Sequence, residues 1–303
     1  MKKRSTVLLV LIVVFAVVLL AYVLISQIPA STNYIPPKET QFLIADDDPR
    51  TVVELEYNLN GHPLPFEFNE IAYKWYYKID REFPLDQTIL QYMASAISKI
   101  MVERLVEKSR DNFAEYGLDK PFLTITVTFK PEKAEAYTKT YNIGNLNAYN
   151  NQYYFNVGGT DTVYMIMSGL IPYFEYEILD LAVRDTIPNF NLEAFTIKSC
   201  ELNGVEIEDT VSFGRSLSSV TLNAPIDYGR MSYYQPNLEY RFNVKYTEKL
   251  NVTNTDGSMA SSVNIDREFS FDINVIDTQI MIYPSALIYQ IDPAKIAALL
   301  EIQ

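Results

Sequence analysis

Residues 122–129 read FLTITVTF, and this strict alternation constrains the fold more than any other stretch. Leu123, Ile125, Val127 and Phe129 fall on one face of an extended strand, and Thr124, Thr126 and Thr128 on the other. Similar segments recur at 51–57 (TVVELEY), 63–68 (PLPFEF), 72–79 (AYKWYYKI), 139–145 (KTYNIGN) and 152–167 (QYYFNVGGTDTVYMIM). Asn60-Gly61 joins the first two as a hairpin, because both positions tolerate positive φ. Gly158-Gly159 marks a tight reversal in the last.

One segment has a different period. Ile89, Met93, Ile97, Ile100, Met101 and Leu105 recur at three- and four-residue spacing, and Asp86 is a natural N-cap. Glu103, Arg104, Glu107 and Lys108 supply a wet face, so the pattern predicts one long amphipathic helix. A second short helix is expected over 110–116 (RDNFAEY), closing at Gly117. Gly117 at C′ places Phe113 at C3 and Leu118 at C″, the two positions that touch in a Schellman ending. Pro121 stops the helix, and Asp119 serves the turn by hydrogen bonding. Gly117, Leu118, Asp119 and Pro121 thus form a structural knuckle between helix and strand.

The first thirty residues stand apart. Lys2, Lys3 and Arg4 precede an uncharged run from Thr6 to Ile25, which at about 1.5 Å per residue covers roughly a bilayer's hydrocarbon thickness. Basic residues stay on the cytoplasmic side, so the bulk of the chain is expected outside the cell. The rival reading is a signal peptide cleaved near Ala30, but the run exceeds the usual apolar core of about 7–15 residues. The division that follows is a cytoplasmic tip and single transmembrane helix at 1–26 and a stalk at 27–49. A first α+β domain covers 50–190, and a β-rich second domain 191–303.

The second domain reads as a degenerate copy of the first. Leu202-Asn203-Gly204 repeats Leu59-Asn60-Gly61, and Ser285-Ala286-Leu287-Ile288 echoes Ser168-Gly169-Leu170-Ile171. The offsets of 143 and 117 imply a copy about 26 residues shorter, with the long helix missing. No comparable helical pattern is visible between 208 and 280. A short C-terminal helix is expected, with Asp292 as cap and Pro293 at N1.

Composition removes several function classes. A single Cys (Cys200) and a single His (His62) cannot build a Cys/His zinc site or an intramolecular disulfide. His62 sits before a proline at a turn edge, a poor place for a catalytic base. The net charge is −13, and without Lys2, Lys3 and Arg4 it is −16, which argues against nucleic acid and anionic lipid surfaces as partners. No Gly-rich phosphate loop, HExxH or GxSxG occurs, and the scattered acids nominate no acid/base pair.

Three motifs admit two readings each. Asp46-Asp47-Asp48 offers carboxylates to a hard cation such as calcium, but lacks the alternating ligands and Gly of a calcium loop and reads better as a solvated charge run. Tyr73, Trp75 and Tyr77 share one strand face, opposite Tyr76; they are either a sugar-stacking platform or a core face. Asn251-Val252-Thr253 matches a glycosylation sequon, which a bacterial source would make irrelevant.

The ordered set WYYKIDREFPLD, the helical pattern, Tyr116-Gly117-Leu118-Asp119-Lys120-Pro121, Ile143-Gly144, Tyr154, Val163-Tyr164 and LAVRD resembles a bacterial family, domain of unknown function 4340, over Val52 to Asp185. The resemblance implies a membrane-anchored extracytoplasmic protein, in some members associated with gliding-motility-type ABC transport systems. It implies no catalytic residue, cofactor or metal. The second half lacks the knuckle.

Together these features predict an α+β fold with mixed, largely antiparallel sheets, one long amphipathic helix, a degenerate two-copy ectodomain and a single N-terminal transmembrane helix. The expected function is a non-catalytic binding or scaffolding subunit, auxiliary to an ABC permease or an envelope complex. The alternatives are a cell-wall glycan-binding module, with Tyr73, Trp75 and Tyr77 as its surface, and a carboxylate-dependent hydrolase.

Overall fold

The computed structural model describes residues 41–230, 240–253 and 259–302. The apolar run Thr6–Ile25 and its flanks lie outside them. Among the described residues no helix is long and apolar enough to cross a membrane. The described residues from Phe42 onward form one compact unit.

The first half contains β1 (Phe42–Asp46), β2 (Val52–Leu59), β3 (His62–Asn69), β4 (Lys74–Tyr77), helix α1 (Gln87–Ser98), β5 (Lys99–Val102), β6 (Arg104–Lys108), β7 (Leu123–Phe129), β8 (Tyr137–Asn147), β9 (Gln152–Val157) and β10 (Thr162–Met167). Eight of these strands form one sheet in the order β4-β3-β2-β7-β8-β9-β10-β6. The second half contains β11 (Phe195–Leu202), β12 (Val205–Glu206), α2 (Thr210–Leu217), β13 (Asp227–Tyr228), β14 (Tyr240–Thr253), β15 (Met259–Asn274), β16 (Gln279–Tyr283), β17 (Leu287–Gln290) and α3 (Pro293–Leu300). Its seven-stranded sheet runs β12-β11-β14-β15-β16-β17-β13. The fold is α+β, and every strand pairing among the described residues is antiparallel. The alternation of β7 is realised in full: Leu123, Ile125, Val127 and Phe129 are buried, and the threonines between them are not.

The long helix stops early. Asp86 caps it as expected, accepting from Thr88 N–H at 2.8 Å and more weakly from Ile89 N–H at 3.4 Å. Leu90, Met93, Ala94 and Ile97 face the core, but Lys99 is already extended at φ −131°. Residues 99–108 are strands β5 and β6, with Ile100 and Val102 buried and Met101 exposed. The same apolar residues satisfy both periods, and backbone pairing decides between them: β5 hydrogen-bonds to β1, and Asp47 N–H donates to the Ser98 carbonyl at 2.9 Å. The expected stalk is corrected with it, because residues 42–46 are a strand of the folded body with Ala45 buried.

The expected helix over 110–116 is a set of turns. Its predicted ending is present nonetheless. Leu118 N–H donates to Phe113 O at 2.8 Å, Gly117 N–H to Ala114 O at 3.2 Å, and Gly117 has φ +71°. These are the two bonds of a Schellman motif.

The two halves repeat one plan. Reading β3, β2, β7, β8, β9, β10 and β6 against β12, β11, β14, β15, β16, β17 and β13 gives the same neighbours in the same chain order. Both Asn-Gly hairpins have positive φ at both positions: Asn60 51° and Gly61 90°, Asn203 51° and Gly204 82°. The second half therefore does carry the helix. Asp209 caps α2 by accepting from Ser212 N–H at 2.9 Å, and Phe213 and Leu217 are buried. Asp86 and Asp209, like Arg104 and Asp227 at the starts of β6 and β13, lie 123 apart, whereas the hairpins lie 143 apart. What the second half lacks is thus about twenty residues between hairpin and helix, which in the first half form β4 and its flanking turns. The Ser285–Ile288 echo is not a structural match: Ser285 precedes β17, whereas Ser168 follows β10.

The halves are tied at the linker. Asp185 accepts from Ser285 Oγ at 2.6 Å and Tyr289 OH at 3.0 Å, and its own N–H donates to that Tyr289 oxygen at 2.9 Å. Burial pushes the Asp185 carboxyl above its ordinary value, and the two hydroxyl donors pull the other way. A carboxyl raised in the folded state binds its proton more tightly there than in the unfolded chain. Its contribution to stability is therefore fully present at acid pH and falls as pH rises through the carboxylate range. Asp185→Asn removes this dependence. The wild-type advantage in melting temperature should shrink as pH rises through the carboxylate range and the two curves run parallel above it; identical slopes throughout refute the assignment.

Candidate binding groove

A groove of about 270 Å³ lies where α1 crosses the end of the first sheet, lined by Pro49, Arg50, Val52, Phe68, Tyr73, Trp75, Gln91, Ala94 and Ser95. Each wall has a local cause. Asp48 caps the 3-10 turn Pro49–Thr51 and holds Arg50 with its side chain, accepting from Arg50 N–H at 3.0 Å, Nε at 3.0 Å and Nη2 at 2.7 Å. These bonds hold the Asp48 carboxyl down at about 2. Asn69 Oδ1 accepts from Ile71 and Ala72 N–H at 3.0 and 2.9 Å, which turns the chain after β3. Tyr73 follows at φ +50° and packs edge-on to Phe68 at 5.3 Å. Gln87 stands in for a strand neighbour of β4: its Oε1 accepts from Trp75 N–H at 2.7 Å, and its Nε2 donates to Trp75 O at 3.1 Å.

Tyr73, Trp75 and Tyr77 do not form one row. Trp75 and Tyr77 are each 3% exposed, and Tyr77 packs against Phe66 and Phe83 in the core. Tyr73 is 76% exposed, because β4 begins only at Lys74 and the positive φ turns its ring outward. Tyr76, on the opposite side, carries Lys74 and Arg81 over its ring at 5.5 and 5.2 Å.

The second half has a smaller counterpart groove of about 150 Å³ beside Phe190, Phe195, Ile197 and Gly214. Val52 corresponds to Phe195, and Gln91 to Gly214, by the offsets above. The aromatic wall of Phe68, Tyr73 and Trp75 has no equivalent there. It belongs to the segment that the second half folds without, so it is not needed to build this kind of sheet.

The second half has its own addition. Beyond Glu248, where pairing with β11 ends, β14 and β15 continue as a two-stranded ribbon. Leu250 faces Val263 across it, and Leu250, Val252 and Val263 are exposed on the continuation of the face that buries Phe242 and Val244. The corresponding hairpin of the first half ends at Phe129 and Tyr137.

The acidic candidates of the Asp46–Asp48 run each have a structural partner. The three aspartates separate: Asp46 faces Lys99 at 3.6 Å, Asp47 meets Lys139 and the Tyr137 hydroxyl at 2.6 Å each, and Asp48 holds Arg50. Among the described residues no group of three or more His, Cys, Asp or Glu is placed to hold a metal ion. Glu54, Glu67 and Glu70 line an open cleft of about 390 Å³, but each has its own cation: Lys78, Arg81 and Lys130. Lys78 holds the Glu54 carboxyl below its ordinary value, the reverse of what a general acid requires. His62 is exposed at the hairpin end, in a cleft with Tyr57, Asn60, Tyr176 and Glu177.

The knuckle is a packing joint. Asn145 N–H donates to Tyr116 O at 2.7 Å, and Asn145 Nδ2 donates to Glu115 O at 3.1 Å. Tyr116 stacks on Tyr154 at 4.4 Å. Gly117 and Gly144 leave room for this approach, since a Cβ on either would overlap the other segment. Leu118 is buried and Asp119 is exposed, taking no hydrogen bond among the described residues.

A family model described as "Domain of unknown function (DUF4340)" matches residues 75–247. No curated protein and no solved structure matches the chain. The matched segment contains the knuckle, Gly144 and Tyr154, and runs through α2 into β14. It covers more than half of the 303 residues, and the chain therefore belongs to the DUF4340 family.

Proposed function

We propose that the protein is a membrane-anchored, extracytoplasmic, non-catalytic binding or scaffolding subunit of a transport or envelope complex, with a polytopic membrane protein such as an ABC permease as partner. Thr6–Ile25 is the anchor, Lys2, Lys3 and Arg4 keep the N-terminus cytoplasmic, and the folded body lies outside. The observation that carries this reading is the ribbon. Leu250, Val252 and Val263 stand in solvent on an arm that the sister half does without. They are 38%, 45% and 48% exposed, so covering what remains open contributes up to about 1 kcal/mol per side chain. Mild crosslinking of cells expressing the full chain should yield one polytopic membrane protein. Leu250→Lys with Val263→Asp, an oppositely charged cross-strand pair, should abolish that product while the variant's melting temperature stays at the wild-type value. Recovery of the wild-type chain only as a free monomer, or an unchanged crosslink in the variant, refutes the proposal.

A further inference from the structure

The groove beside Trp75 is separate from the ribbon, and its chemistry is different. One rim is a flat aromatic ring: Tyr73 is held outward by the Asn69 turn and by Phe68. The floor is apolar, formed by the buried residues Val52, Ala94 and Trp75. The opposite rim is Arg50, whose side chain is 84% exposed. Asp48 takes the Nε and Nη2 side of that guanidinium, which leaves Nη1 and the outer Nη2 proton without a hydrogen-bond acceptor among the described residues. The helix side offers the exposed Gln91 amide, and Ser95 Oγ, whose proton goes to the Gln91 carbonyl at 2.8 Å so that its lone pairs face outward as acceptors. A volume of about 270 Å³ admits one six-membered ring with substituents, just below the usual range for small-molecule sites.

These groups select a ligand class. An open tyrosine face suits the C–H face of a pyranose, and amide and hydroxyl groups suit its alcohols. A guanidinium edge suits a carboxylate. A free amino acid would bring an ammonium toward Arg50, and a neutral sugar would leave the guanidinium edge unused. We propose that this groove binds a pyranose unit carrying a carboxylate, stacked on Tyr73 with its acid group on the free edge of Arg50.

Trp75 is the only tryptophan in the full chain and lines the groove, so its fluorescence reports occupancy directly. The full chain, held in a detergent without a sugar headgroup, is titrated with hexuronate oligomers, with muramic-acid-containing glycan strands and with neutral glucose oligomers of matched length. A saturable change is expected with at least one acidic probe, about tenfold tighter than with the neutral one. Which acidic probe binds separates a free acidic polysaccharide from wall glycan as the source. Tyr73→Asn should weaken binding about tenfold, Tyr73→Phe should retain it, and Arg50→Gln should bring acidic and neutral probes to the same affinity. Tyr73 is exposed and asparagine tolerates positive φ, so these variants keep the fold, and unchanged melting temperatures verify it. No change with either acidic probe up to about 10 mM, an equal response to the neutral oligomer, or wild-type binding by Tyr73→Asn overturns the proposal. A fluorescence change only with carboxylate-bearing peptides also overturns it. None of these outcomes depends on whether the ribbon recovers a crosslinked protein.

Discussion

Gly144→Ala is expected to lower the unfolding free energy by about 3 kcal/mol, the upper end for forcing an extra carbon into a packed site. The size follows from what the methyl group would meet. A Cβ on Gly144 overlaps the Tyr116 carbonyl oxygen, a backbone atom with no rotamer by which to move aside. That oxygen already accepts the Asn145 N–H, so the knuckle moves only by breaking this bond, the Asn145–Glu115 bond and the Tyr116–Tyr154 stack. Gly169→Ala is the control, because nothing lies within 4 Å of a Cβ there; it should change stability by less than about 0.5 kcal/mol. Urea unfolding of the two variants tests the point. Equal stabilities would mean that the knuckle slides freely over β8 and does not act as a joint.

Arg241→Met should cost a similar amount, about 3 kcal/mol, for an electrostatic reason. Arg241 and Asp272 are directly opposed on β14 and β15, and the guanidinium grips the carboxylate through Nε and Nη2 at 2.7 Å each. Tyr283 OH donates to the same carboxylate at 2.7 Å and accepts from Arg241 at 3.0 Å. The carboxylate holds the guanidinium above its ordinary pKa. The two partners are unequally buried: the Asp272 side chain is 3% exposed and that of Arg241 55%. Removing Arg241 leaves a buried carboxylate with one hydroxyl, whereas removing both charges leaves nothing to desolvate. Arg241→Met with Asp272→Leu should therefore recover most of the loss. A single variant within about 1 kcal/mol of wild type, or a double variant no better than the single, would show that Asp272 does not depend on the pair.

The elements legible from sequence share one property, a cause within a few residues. The Asn-Gly hairpins need only two residues that accept positive φ, and both formed. The start of α1 needs only Asp86, and the knuckle's ending only Phe113, Gly117 and Leu118. Strand β7 needs only its alternation. The family resemblance read from short stretches of this sequence agrees with the family model that matches residues 75–247.

The misread elements depended on distant chain. ILQYMASAISKIMVERLVEK supports a helix throughout, and only β1 and β10, pairing with β5 and β6, convert its second half to strand. Helix α2 was hidden because TVSFGRSL is poor in helix formers; the signals that could have found it were Asp209 as cap and the Phe213–Leu217 spacing. Tyr73 was placed in a row with Trp75 because period two says nothing about where a strand begins.

By itself, then, the sequence determined this protein's local grammar: which residues turn, which cap and which alternate. Those outcomes follow from dihedral preferences and from hydrogen bonds closed within a few residues. The tertiary structure alone decided where α1 yields to strands, that both halves share one strand order, and that Arg50, Tyr73 and Gln91 border a common groove. These depend on contacts between residues far apart in the chain, whose free energies exceed the small local preferences they overrule.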